Sequence, residues 1–198
     1  MTEPESVGQI LAGLTIAPRR AALLIVDVQE RLAAAMSGEA RERVDRNVCV
    51  LIEAARRFAI PVVVSEQYPR GLGPTSAPVE AGLATLDGVE RFEKLEFSAC
   101  QAAAFPPLWA RLGRDTWIVT GMETHVCVQR TVRDLRGRGA HVHVVADAVA
   151  SRTETNRQIG LGLMARAGAT ITSTETVVFE LLGKAGGDDF KALSKLIK

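Results

Sequence analysis

Apolar positions along this chain fall into two rhythms. "AALLIVDV" (Ala21 to Val28) is a continuous apolar run closed by a single acid, the pattern of a strand buried on both faces of a parallel sheet. "IPVVVSE" (Ile60 to Glu66), "TWIVTG" (Thr116 to Gly121), "HVHVVAD" (His141 to Asp147) and "ATITST" (Ala169 to Thr174) have the same character. Between them the period changes. Val44, Val48, Leu51, Ile52 and Ala55 fall on one face of a helix, and Val128, Thr131, Val132 and Leu135 repeat that spacing. Further helices are predicted over Thr153–Ala167, Thr176–Leu182 and Asp188–Ile197, each approached through Ser, Thr, Glu or Asp residues suited to a helix start. Strands alternating with helices imply right-handed βαβ units. The predicted fold is an α/β, three-layer α/β/α sandwich around a mostly parallel, Rossmann-like sheet of about five to six strands.

One region breaks the rhythm. Gln67 to Cys100, "QYPRGLGPTSAPVEAGLATLDGVERFEKLEFSAC", is rich in Gly and Pro and reads as a long connection, which in a compact domain is usually functional. With 198 residues the chain is long enough for one sizeable core, so we expect an N-terminal tail over residues 1–17 and one domain over 18–198. Basic and acidic side chains balance at 24 against 23, which disfavours nucleic acid as a partner. No apolar run approaches the roughly 18–20 residues of a bilayer span. The early glutamates of "MTEPESVGQILAGLTIAPRR" do not resemble a signal or transit peptide, so a cytoplasmic location without membrane attachment is expected.

The reading of open parallel sheets directs attention to the carboxyl ends of the strands, where ligands bind at a switch in strand order. Asp27 ends the first strand, Glu66 and Gln67 end the second, and Cys127 follows "WIVTG". Taken singly, Asp27 reads equally as a helix-capping acid, and Lys94 in "ERFEKLEF" as a solvated surface lysine. Cys49 and Cys100 read as packed, inert thiols. Three cysteines without a C-x-x-C pair argue against a disulfide framework and a structural zinc site. Cys127 stands apart. With Thr124 as N-cap it would lie in the first turn of a helix, where unpaired backbone N–H groups favour a thiolate, so its titration is expected below the value of about 8.5 for a free thiol. His125, His141 and His143 have no metal-ligand spacing to one another.

Together, "LLIVDVQ", "EKLEFSAC" and "VTGMETHVCVQRTVRDLRGRGAHVHVVADAVASR" resemble the isochorismatase-like cysteine hydrolase superfamily over nearly the whole chain from about Ala21 onward. "SEQYPRGLGPT" and "STETVVFELLGKAGGDDFKALSKLIK" are similar to its isochorismatase domain-containing branch. The resemblance implies an Asp-Lys-Cys triad at Asp27, Lys94 and Cys127. It also implies an oxyanion hole from the backbone N–H groups of Glu123 and Cys127, with a cis peptide between Met122 and Glu123. Gln67, Tyr68 and Phe97 are candidate walls of a small-molecule pocket. No cofactor is implied, and a homo-oligomer, a dimer or a multiple of dimers, is expected from the family. Nicotinamidases in the superfamily carry an Asp-and-His metal cluster after the second strand, whereas "SEQYPRGLGPTSAP" has no His, so no metal is expected.

Isochorismatases proper, which hydrolyse a vinyl ether, lack the nucleophilic cysteine. Its presence as Cys127 favours cleavage of an amide-type C–N bond through a thioester. Vinyl-ether hydrolysis and a non-catalytic thiol redox or scaffold role stay open as alternatives.

Overall fold

A computed structural model of the protein describes residues 7–197. In chain order its elements are α1 (Val7–Leu14), β1 (Ala21–Val26), α2 (Glu30–Ala34), α3 (Gly38–Arg57), β2 (Val62–Gln67), α4 (Pro69–Leu72), α5 (Ala77–Leu83), β3 (Glu90–Lys94), α6 (Phe105–Leu112), β4 (Thr116–Met122), α7 (Gln129–Gly137), β5 (His141–Ala150), α8 (Glu154–Arg166), β6 (Thr170–Thr172), α9 (Thr174–Leu182) and α10 (Gly187–Leu196). All six strands are parallel, in the order β3-β2-β1-β4-β5-β6.

The two faces of the sheet carry separate layers, as the alternation of side chains along a strand requires. Ala21, Leu23 and Ile25 of β1 face the layer that holds α3, α5, α9 and α10. Ala22, Leu24 and Val26 face α6, α7 and α8. This is the predicted three-layer sandwich. Two of the three predicted helix starts are capped by hydroxyls: those of Thr153 and Ser173 accept the N–H groups of Asn156 and Thr176 at α8 and α9, as Ser37 does for Ala40 at α3, whereas α10 begins at Gly187 without a side-chain cap.

Three departures matter. Inside the stretch read as one long connection lie α4, α5 and a sixth strand, β3. Its sequence "ERFEK" escapes an apolar-run reading because β3 is an edge strand in which only Phe92 and Lys94 turn inward, and charges on an exposed edge discourage further strand pairing. Residues 7–14, within the stretch read as a tail, form α1 against β5. The predicted last strand shortens to Thr170–Thr172, because Ser173 already caps α9.

The order reverses direction between β1 and β4. Chain connections leave β1 toward β2 and β3 on one side, and β4 toward β5 and β6 on the other, so the crevice of the doubly wound sheet opens beyond Val26 and Met122. Among the described residues no helix is long and apolar enough to cross a membrane.

Candidate active site

At the end of β1 the backbone turns sharply, with Asp27 in the left-handed region at φ 53°. Such a conformation is strained for a residue with a Cβ and persists only where its surroundings fix it. They do so here. Asp27 is wholly buried, its Oδ1 accepts the Ser65 hydroxyl at 2.7 Å, and its Oδ2 accepts Lys94 Nζ at 2.6 Å. Lys94 ends β3, two strands away, and its side chain is entirely buried. Besides Asp27, its ammonium reaches Gln67 Oε1 at 2.8 Å and the carbonyls of Glu96 and Phe97 at 3.2 and 3.5 Å. A buried ammonium requires partners for its three donors, and these oxygens supply them.

Cys127 reaches the same place from β4. The strand ends in a cis peptide between Met122 and Glu123, as the resemblance implied, and then enters a π-helical turn, Thr124–Val128. Cys127 lies in that turn, so Thr124 does not act as the expected N-cap of an α-helix. Its thiol lies beside the Asp27 carboxylate, close enough for each group to shift the titration of the other. Two glycines let these elements meet. A Cβ on Gly121, where φ is 122°, would stand 1.9 Å from the Val26 carbonyl oxygen. A Cβ on Gly160 of α8 would stand 2.8 Å from the Thr124 carbonyl oxygen.

Electrostatics differ from the expected picture. Burial, and then the adjacent Asp27 carboxylate, push the Cys127 thiol up to about 12, against the opposing pull of Lys94. The expectation of a depressed thiol pKa is therefore corrected: Cys127 is 5% exposed, faces an anion, and lies in a π turn instead of at a regular helix start. Burial also raises Asp27 above the usual carboxylate range, partly offset by Lys94, Ser65 and Cys127. A more basic carboxylate beside a buried thiol is a proton acceptor matched to that thiol.

Asp27, Lys94 and Cys127 are thus brought together. Gln67 lies beside them, but its amide is engaged, with Oε1 on Lys94 and Nε2 donating to the Leu95 carbonyl at 2.8 Å. Tyr68 is half exposed and lines a cleft of about 570 Å³ together with Pro69, Arg70, Lys94 and Leu95, whereas Cys127 and Asp27 do not line it. The Phe97 ring is exposed. Glu123 turns its carboxylate away to the N–H and Nε of Arg152, at 3.0 and 3.1 Å. The other thiols are packed: Cys100 Sγ lies 3.7 Å from the Thr131 carbonyl oxygen and burial raises its pKa to about 12, while Cys49 Sγ lies 3.4 Å from the Pro78 carbonyl oxygen. Among the described residues no group of three or more His, Cys, Asp or Glu side chains is placed to hold a metal ion.

Sequence reasoning did not find Ser65 or Gln29. The signal for each was faint: one hydroxyl at the end of an apolar strand, and one amide two residues after the acid.

A parallel doubly wound sheet with a buried carboxylate, ammonium and thiol converging at its switch point defines a Rossmann-like hydrolase class. Within it the family is settled by comparison: residues 21–176 match the isochorismatase domain, and the chain belongs to the isochorismatase family, in its isochorismatase domain-containing branch. It is 40% identical over 149 residues to the secreted isochorismatase effector Isc1 of Phytophthora sojae, covering 75% of this chain and 71% of that protein. It is 41% identical over 152 residues to isochorismatase domain-containing protein 1 of Danio rerio, covering 75% of this chain and 51%, about half, of that protein. The solved structure of MAR1 ribonuclease from Caenorhabditis elegans superposes with a TM-score of 0.84 at 38% identity, covering 92% of both chains.

Proposed function

We propose that this chain is a cysteine hydrolase that cleaves an amide-type C–N bond of a small molecule through a thioester on Cys127. The observation that carries this reading is the convergence of the Cys127 thiol on a wholly buried Asp27 carboxylate whose oxygens are held by Ser65 and Lys94.

In the proposed cycle the thiol proton passes to Asp27 as sulfur attacks the carbonyl carbon, so the thiolate need not accumulate beforehand. The backbone N–H groups of Glu123 and Cys127 stabilise the tetrahedral oxyanion. When the intermediate collapses, the C–N bond breaks and the departing amine takes the proton from Asp27. Water then attacks the thioester, Asp27 accepts its proton and returns it to sulfur, and the acid leaves. Lys94 transfers no proton in this scheme. Its ammonium fixes the orientation of Asp27 and keeps the carboxylate ionised between steps.

Several features support the narrower parts of the proposal. The side chains of Asp27 and Lys94 are 0% exposed, which suits a small substrate better than a polynucleotide. Retention of Cys127 favours acyl chemistry over vinyl-ether hydrolysis. Three free thiols suit a reducing compartment such as the cytoplasm. Exposed Leu95 and Phe97 at the mouth of the site, with Ile159 and Leu163 on α8, fit burial against further copies in a homo-oligomer.

The test is intact-mass measurement after incubation with a panel of small amides. An acyl adduct that maps to Cys127 and is absent from Cys127→Ala supports the hydrolase. Sulfenic acid or disulfide products alone would point to the thiol redox reading instead.

A further inference from the structure

We infer that Gln29 is a positioning residue for Lys94, acting through Gln67. This inference rests on the hydrolase reading above and extends the site by one layer.

Gln29 follows Asp27 by two residues and is completely buried. Its side-chain amide makes three hydrogen bonds to chain segments distant in sequence. Oε1 accepts the Gln67 backbone N–H at 2.7 Å, while Nε2 donates to the Gln67 carbonyl at 3.1 Å and to the Gly73 carbonyl at 2.6 Å. The orientation of this amide is fixed by chemistry, because Nε2 faces two carbonyls and Oε1 faces an N–H. Gln29 therefore grips both backbone polar groups of Gln67, its N–H and its carbonyl, as a neighbouring strand would.

The gripped residue is the one that holds Lys94. Gln67 Oε1 accepts Lys94 Nζ at 2.8 Å, and its Nε2 donates to the Leu95 carbonyl at 2.8 Å, which fixes that amide in turn. The Tyr68 N–H also binds the Lys94 carbonyl at 2.9 Å. From there Lys94 reaches Asp27 Oδ2. The contacts close a ring: Asp27 carbonyl to Gln29 N–H at 2.9 Å, Gln29 amide to Gln67, Gln67 to Lys94, and Lys94 back to the Asp27 carboxylate. A long, flexible lysine at the edge of the sheet pays a large rotamer entropy to hold one position. Gln67 supplies the second anchor that defines this position, and Gln29 holds Gln67 in place.

The distinguishing readout is the acid limb of the pH–rate profile for iodoacetamide modification of Cys127, followed by peptide mass spectrometry. That limb reports the protonation of Asp27, which burial raises and an anchored ammonium opposes. For Gln29→Met, which keeps length but loses the amide, the acid limb is expected to move to higher pH by about half a unit, a roughly threefold slower reaction on the limb. Lys94→Met should move it further in the same direction. In a Gln67→Met background, Gln29→Met should add almost nothing, because the link is already cut. Gln29→Leu serves as the second variant should the first not fold.

A purely structural Gln29 would lower the melting temperature and leave the limb in place. The inference is therefore overturned if Lys94→Met shifts the limb and neither Gln29 variant does, or if the Gln29 effect persists undiminished in the Gln67→Met background. If Lys94→Met itself leaves the limb unmoved, the triad reading fails, and this inference with it.

Discussion

Cys100 and Cys127 are two buried thiols on the same side of the sheet, both pushed up to about 12 by burial, yet only one is in a position to react. Cys100 lies on the strap that follows β3 and points its sulfur at the Thr131 carbonyl, a group that cannot take up a proton. Cys127 lies beside Asp27, a carboxylate that burial has made more basic and that Lys94 and Ser65 hold in place. A nucleophilic cysteine thus need not have a depressed resting pKa. What it needs is an acceptor whose affinity for the proton is matched to its own, within hydrogen-bond reach.

The largest expected contrast is between the two thiols themselves. Cys127→Ala should lower turnover by about ten-thousand-fold or more, since the attacking atom is gone. Cys100→Ala should leave turnover nearly intact and lower stability by about 1 kcal/mol through the small cavity it creates. Steady-state kinetics beside chemical denaturation reads both.

A smaller effect is expected where the acceptor is tuned. Ser65→Ala removes one of the hydrogen bonds that holds the Asp27 carboxylate, so turnover should fall by about tenfold and stability by about 1–3 kcal/mol. The apparent pKa of Asp27 should rise, because a bond to its charged form is lost. The acid side of the pH–activity curve then moves to higher pH, and its midpoint measures the change.

Gly160→Ala tests the geometry of the turn instead of its chemistry. The added methyl would press on the Thr124 carbonyl and shift the Cys127 turn away from Asp27, for a several-fold loss of turnover and about 1–3 kcal/mol of stability. At the far end of the scale, extended treatment with a chelator should change neither turnover nor melting temperature. Loss of activity restored by one added metal ion would contradict a site built on a thiol and a carboxylate.

Much of this was legible in the sequence, for physical reasons that also mark the boundary. β1, β2, β4 and β5 announce themselves because both faces of each are buried, which writes an unbroken apolar run. β3 does not, because an edge strand with two inward residues looks like a charged loop. Lys94 was legible through resemblance alone: besides the nearby carbonyls of Glu96 and Phe97, its ammonium is held by Asp27 and Gln67, 67 and 27 residues away. Gln29 and Ser65 act on partners 38 residues away, a distance no local pattern spans. The direction of the Cys127 shift is not legible in the sequence, because helix position is a local signal, whereas burial and a facing carboxylate dominate once the chain is folded.

If the Cys127 proton belongs to a shared pair with Asp27, the pH dependence of alkylation must show it. Moving a proton from sulfur to carboxylate within the pair takes up none from solvent, so the reactive form keeps a constant population between the two titrations of the pair. The iodoacetamide rate at Cys127 should then be nearly flat from about pH 6 to about pH 9, while Cys49, a half-buried thiol without such an acceptor, should react about tenfold faster for each pH unit. In Asp27→Asn the plateau should be replaced by that ordinary slope. A parent Cys127 rate that climbs about tenfold per pH unit, unchanged by Asp27→Asn, would contradict the shared proton and remove Asp27 from the chemistry.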